Sequence, residues 1–116
     1  MSRRRVVVTG LGIVCPVGNT VEEAWSSLVA GKSGIAPITR FDPAPFACRF
    51  AGEVKGFDVA VHLPAKEARH MDTFIHYGLA AGIQAWKDSG LQVTEANAER
   101  IGVNIGSGIG GLPRIE

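Results

Sequence analysis

Apolar residues fall into two kinds of pattern along this chain. The first is short runs. Val6, Val7 and Val8 stand together within Arg5 to Thr9. Three β-branched residues in a row predict a strand covered on both faces. Ile101, Val103 and Ile105 alternate with small or polar neighbours, which predicts a second strand. The other kind recurs at helical spacing. Val21, Ala24, Trp25, Leu28 and Val29 follow the i, i+3, i+4, i+7, i+8 rhythm of one buried face. Thr20 with Glu23 forms a capping box before them, and Gly31 supplies the stop.

The longest helical pattern spans Asp72 to Ser89. Asp72 is placed to cap it, and Ser89-Gly90 ends it. No formally charged side chain occurs from Thr73 to Trp86, and apolar or small residues cover well over half its circumference. A helix apolar nearly all round is expected in a central layer, with structure on both sides. Gly78, Gly82 and Ala85 lie near one ridge and predict a close approach of another backbone. Each internal glycine otherwise costs about 1 kcal/mol against alanine.

Between these elements the signals are weaker. Pro37, Pro43 and Pro45 forbid long regular elements from Lys32 to Leu63. A short strand is predicted at Ala51 to Val54. Phe41, Phe46, Phe50 and Phe57 are expected to pin this excursion to a larger body. Pro64 to His70 predicts a short helix, and Thr94 to Arg100 a short polar helical segment.

Composition narrows the function classes. The chain has 116 residues, 46% hydrophobic and 20% charged, which is globular composition for one domain at most. A net charge of +1 gives no reason to expect nucleic-acid binding, and Arg3 to Arg5 are expected to be solvated. No apolar run approaches the roughly 18 residues of a membrane span. The apolar run after the arginines is too short for a signal peptide. Cys15 and Cys48 form neither a C-x-x-C pair nor a ligand cluster with His62, His70 or His76. No metal, no cofactor and a reducing cytoplasm are therefore expected.

Two glycine motifs bear on chemistry. Gly10-Leu11-Gly12 follows the first strand, but Cys15 holds the third position of a dinucleotide fingerprint, and Pro16 and Gly18 delay the next helix. A phosphate-binding turn needs a helix N-terminus aimed at the ligand. Gly106, Gly108 and Gly111 spell G-x-G-x-x-G after the second strand, but Pro113 follows almost at once. A nucleotide-binding domain stays open as a lesser alternative.

The order of motifs carries more. T-G-L-G-I from Thr9, P-V-G-N-T from Pro16 and A-G-K-S-G-I from Ala30 come first. F-A-G-E-V-K from Phe50, M-D-T-F-I-H-Y-G from Met71, A-W-K-D-S-G-L from Ala85 and I-G-S-G-I-G-G from Ile105 follow. Together they resemble the start of the β-ketoacyl-acyl carrier protein synthases, and within them the bacterial synthase II branch. The resemblance covers essentially the whole chain. It implies an α/β, thiolase-like fold of five layers, α-β-α-β-α. Residues 1–116 are then an incomplete domain without internal boundary, the leading portion of a longer acyltransferase.

The resemblance also implies an activity: fatty-acid elongation by decarboxylative condensation of malonyl-carrier protein with an acyl-enzyme thioester. A cysteine nucleophile and two histidines do this in the family. Its cysteine lies in a later T-A-C-[ST]-S-like motif, and neither Cys15 nor Cys48 matches it, so no catalytic residue is assigned here. Ile109 matches the hydrophobic gate of the acyl pocket, flanked by Gly108 and Gly110. Lys66 and Arg69 match basic residues facing the acidic carrier protein. His70 stands where other members have lysine, and Ala65 where they have arginine. The implied partners are acyl carrier protein and a second copy of the enzyme, with no nucleic acid and no membrane. A non-catalytic chain-length-factor partner built on the same scaffold is the principal alternative.

Overall fold

The computed structural model describes residues 3–112. Helix α1 is Val21–Val29, strand β1 Ile35–Pro37, strand β2 Phe50–Gly52, helix α2 Ala65–Ala68 and helix α3 Thr73–Ser89. Short 3₁₀ turns lie at Val59–Val61 and Ala98–Arg100.

Both long helices begin and end where local chemistry says they should. The Thr20 hydroxyl accepts from Glu23 N at 3.2 Å, and the Glu23 carboxylate accepts from Asn19 N at 2.8 Å. The reciprocal bond thus reaches one residue further back than in a standard capping box. Asp72 accepts from Thr73 N at 2.8 Å at the head of α3. Gly90, at φ +64°, closes α3 in the left-handed conformation that glycine adopts without steric cost.

The segment after Val8 runs along α3 in the opposite direction. Leu11 N donates to Asp88 Oδ2 at 2.9 Å. Ile13 N donates to Gln84 Oε1 at 3.4 Å, and Gln84 Nε2 returns a bond to Ile13 O at 3.2 Å. Two extended residues advance about 6.6 Å and four helical residues about 6 Å, so alternate backbone positions match an i, i+4 pair on the helix. The same match seats the intervening glycines. A side chain at Gly10 would strike the Ala85 carbonyl oxygen, and one at Gly12 the Ala81 carbonyl oxygen. The expected close backbone approach to α3 therefore occurs, but at Ala81 and Ala85. Gly78 and Gly82 instead face the Ile105 side chain at ordinary contact distance.

β1 and β2 form an antiparallel pair with Ile35 opposite Gly52, Ala36 opposite Ala51 and Pro37 opposite Phe50. β2 overlaps the strand predicted at Ala51 to Val54, shifted one residue earlier at its start. Lys55 organises the base of the pair. Its ammonium donates to the carbonyls of Glu53 at 3.0 Å, Gly34 at 3.1 Å and Pro16 at 3.4 Å. Asn19 Nδ2 donates to Lys55 O at 2.8 Å.

Four expectations differ from the structure. Trp25, Leu28 and Val29 of α1, expected on a buried face, are exposed, and only Ala24 of that face is buried, because nothing among the described residues packs over the rest. Val6–Val8 and Ile101–Ile105 are not in strands, because a strand is defined by a paired ladder and neither segment has one among the described residues. Val6 is 94% exposed and Val103 79%. Thr94 to Arg100 is a turn ending in a single 3₁₀ stretch. Of the four phenylalanines, Phe57 alone packs as an anchor, edge-on to Tyr77 of α3 at 5.0 Å and stacked on His62 at 5.8 Å. Phe41 and Phe46 meet each other at 5.7 Å but stay exposed, as does Phe50.

The buried apolar residues among those described are Ala24, Ala68 and Ala80. Most of α3 is half-buried, so the cover expected on both sides is only partly present. The radius of gyration is 17.6 Å, against about 13 Å for a compact domain of this length.

Candidate functional site

The glycine loop follows Ile101–Ile105 and crosses the first turns of α3. Phe74, Ile75, Gly78 and Leu79 of α3 face Ile105, Gly106 and Ser107 across an apolar cleft of about 310 Å³. Gly78 and Gly82 make room for Ile105, which forms the floor beside them.

The four glycines of the loop sit in two different environments. A side chain at Gly106 or Gly108 would meet nothing within 4 Å. Gly110, at φ +78°, rests on the Phe74 ring: a Cβ there would lie 2.9 Å from Phe74 Cζ and 3.1 Å from Cε1. A Cβ at Gly111 would collide with Asp72 Oδ2. The loop is thus open at Gly108 and seated at Gly110 and Gly111. Ile109 stands between the two and is 73% exposed. Pro113, the residue that argued against a phosphate-binding helix, lies outside the described residues.

Three basic residues expected to face the carrier lie just before α3. Lys66 is in α2, Arg69 is its C-cap, and His70 follows; all three are exposed. Arg69 Nε donates to Ala65 O at 3.4 Å. His76 Nε2 bonds Ala68 O at 2.9 Å, which ties α2 to α3. Only Met71 separates His70 from the Asp72 cap, so the cationic turn and the loop seat are joined through one short link. Cys15 is half-buried in a turn where Cys15 N donates to Gly18 O at 2.9 Å, and Cys48 is exposed. Both are free thiols. Among the described residues no three histidine, cysteine or carboxylate groups converge on one point. No helix there is long and apolar enough to cross a membrane.

Sequence reasoning missed the second role of Asp72 and Phe74. It read the first as a helix cap and the second as part of an apolar face. The available signal was the adjacent pair Gly110-Gly111, since paired glycines mark a close approach to some other group.

Comparison with known proteins agrees with the motif order. Residues 3–115 match the family described as "Beta-ketoacyl synthase, N-terminal domain". The chain belongs to the β-ketoacyl synthase family, and its fold is of the thiolase-like kind. It is 64% identical over 116 residues to the 3-oxoacyl-[acyl-carrier-protein] synthase 2 of Vibrio cholerae serotype O1, covering all of this chain and 28% of that protein. It is 53% identical over the same span to the enzyme of that name from Coxiella burnetii, again 28% of its length. Among solved structures it is similar to the ishigamide ketosynthase/chain length factor, with a TM-score of 0.66 and 40% identity. That match covers 78% of this chain and 23% of the other. The chain therefore spans somewhat more than a quarter of the length of the curated relatives it matches.

Proposed function

We propose that the chain serves a 3-oxoacyl-acyl carrier protein synthase of the second type. The observation that carries this reading is the 64% identity over the whole chain to an enzyme of that name. In the reaction, an acyl group passes from its carrier to an enzyme cysteine. Malonyl-carrier protein then loses carbon dioxide. The resulting carbanion attacks the acyl thioester carbonyl, the cysteine sulfur leaves, and a 3-oxoacyl chain two carbons longer is released on the carrier. The nucleophile and its histidines belong to sequence beyond these 116 residues, and no cofactor is involved.

This chain contributes three things in that scheme. α3 supplies a central layer of a five-layered α-β-α-β-α body, and the half-covered state of its apolar surface supports this role. Gly108, Ile109 and Gly110 form the gate of the acyl pocket. The exposed isoleucine beside an apolar cleft supports that assignment. Lys66, Arg69 and His70 face the acidic carrier protein, and their exposure on one turn supports it. The enzyme acts as a cytoplasmic homodimer, and residues 1–116 form one part of a single domain.

Ile109→Phe in the complete enzyme tests the gate. A bulkier side chain there is expected to slow acylation by long chains relative to short ones. Equal rates for long chains in the variant and the natural enzyme would remove the gate role. The likeness to a ketosynthase/chain length factor favours a second reading, a non-catalytic scaffold partner. Condensation by the purified complete protein without any partner decides against it.

A further inference from the structure

We propose that Asp72, together with Phe74, is the seat that positions the glycine loop, and that Asp72 keeps this seat reversible. The role it gives these residues in acyl-length selection rests on the gate reading of Ile109.

Three observations meet at one place. Gly110 lies on the tip of the Phe74 ring in a conformation that favours glycine, so the apolar contact holds the loop against the first turn of α3. Gly111 abuts Asp72 Oδ2 with no room for a methyl group. Among the described residues that oxygen is cut off from solvent and has no hydrogen-bond partner, while the carboxylate's other oxygen caps α3 through Thr73 N at 2.8 Å.

A carboxylate oxygen buried without a donor is unfavourable, and each such case calls for a physical explanation. Here the loop itself shuts it in. Seating the loop gains the Phe74 contact and costs Asp72 the hydration of one oxygen. Lifting the loop reverses both. Two opposed terms of this kind produce an element with two accessible positions. Gly108, with open space around it, is the point about which the lifted loop can turn. Ile109 sits between that free point and the seat. Its position relative to the cleft is then set by residues that line neither the nucleophile nor the carrier-facing turn. Asp72 is a positioning residue in this scheme.

The test uses the complete enzyme with Asp72→Ser, Gly111→Ala, the double variant and Ile109→Phe in parallel. Serine keeps the cap and removes the buried oxygen. Two quantities are read: amide hydrogen exchange across residues 106–111, and the ratio of acylation rates for a long and a short acyl-carrier substrate. Asp72→Ser is expected to slow exchange and lower the ratio, because the seat no longer carries its penalty. Gly111→Ala is expected to speed exchange and raise the ratio, because its methyl collides with Asp72. The double variant is expected to return toward the natural enzyme, a coupling of about threefold or more. Unchanged exchange in both single variants overturns the seat. Altered exchange with an unchanged ratio, while Ile109→Phe shifts that ratio, overturns the role in selection alone. An unchanged ratio in Ile109→Phe removes the gate reading, and the selection role with it, while exchange still decides the seat.

Discussion

Gln84 holds Ile13 by both backbone polar groups, accepting from its N–H at 3.4 Å and donating to its carbonyl at 3.2 Å. The same amide nitrogen also donates to Asn19 O at 2.8 Å. An apolar helix thus uses one polar side chain to do what a neighbouring strand would do for an extended segment. Gln84→Leu is expected to leave two carbonyls and one N–H without these partners, at a cost of about 1–3 kcal/mol. Gln84→Glu is expected to be worse than its size suggests, since it sets a carboxylate against the carbonyls of Ile13 and Asn19. Urea unfolding of the complete protein checks both. Equal midpoints for Gln84→Leu and the natural protein would show that the grip contributes nothing.

The glycines provide a graded test of packing against fingerprint. Gly12→Ala drives a methyl into the Ala81 carbonyl of α3, with backbone and not a flexible side chain in the way. Forcing atoms into such a space typically costs 1–3 kcal/mol, occasionally more. Gly106→Ala meets open space at a backbone angle alanine tolerates, and is expected to leave stability unchanged or raise it by about 0.4–1 kcal/mol. A nucleotide-binding loop would require the opposite, since Gly106 opens its fingerprint. Thermal unfolding of the two variants separates the readings, and a strongly destabilised Gly106→Ala would contradict the packing account.

How much of this was legible depended on how far each signal acts. The ends of α1 and α3 are set within a turn of themselves, by Thr20, Glu23, Asp72 and Gly90, so their sequence patterns place them well. Val6–Val8 and Ile101–Ile105 have strand character in their side chains, but pairing needs a second segment and the described residues provide none. β1 stayed hidden because Pro37 reads as a breaker, whereas an edge position in a two-stranded pair tolerates it. Its register depends on Lys55 and Glu53, more than a dozen residues downstream, and no local pattern announces that. In the loop, spacing groups all four glycines together. Contacts with Phe74 and Asp72 divide them into an open pair and a seated pair.

Glu53 makes the β1–β2 region sensitive to acid. Its carboxylate accepts from Thr39 Oγ1 at 2.7 Å, from Thr39 N at 3.1 Å and from Arg40 N at 3.2 Å. The Thr39 hydroxyl leads in holding it below its ordinary value of 4.5, helped by the two backbone donors and the Arg40 charge. A carboxyl depressed in the folded state stabilises fully above its unfolded value, and that contribution is lost as pH falls through the folded one. The amide resonances of Thr39 and Arg40 are therefore expected to titrate with a midpoint below 4.5 and to lose that titration in Glu53→Gln. A midpoint at or above 4.5 would show that the bonds do not favour the ionised form.

Lys66 and Arg69 share one exposed turn with His70, so the two charges act together at longer range than any single contact. Reversing Lys66 and Arg69 to glutamate in the complete enzyme is expected to raise KM for acyl-carrier substrates on the order of tenfold at low salt, with kcat nearly unchanged. Added salt should narrow the gap, because exposed charges are screened. His70→Lys should shift KM the other way at neutral pH. A small acyl thioester without the carrier serves as control. If its KM rose equally, the turn would be acting on the pocket and not on the carrier.

The last prediction concerns the 116 residues produced alone. Val6, Val7 and Val8 are 94%, 73% and 79% exposed, Val103 is 79% exposed, and Trp25 of α1 is 66% exposed. Burial of apolar residues is confined to three alanines among the described residues, so little apolar area is removed from water to offset the entropy of ordering the chain. The helices have good caps, but helices of this length gain most of their stability from packing. The isolated chain is therefore expected to associate, or to hold helical structure without a sharp unfolding transition. Light scattering across a concentration series, with far-ultraviolet circular dichroism on heating, reads both outcomes. A monomer at micromolar concentration that melts cooperatively would mean that the Gln84, Lys55 and Glu53 networks suffice to order the chain. The half-covered face of α3 would then be a tolerated surface, and its assignment to a central layer would lose its physical basis.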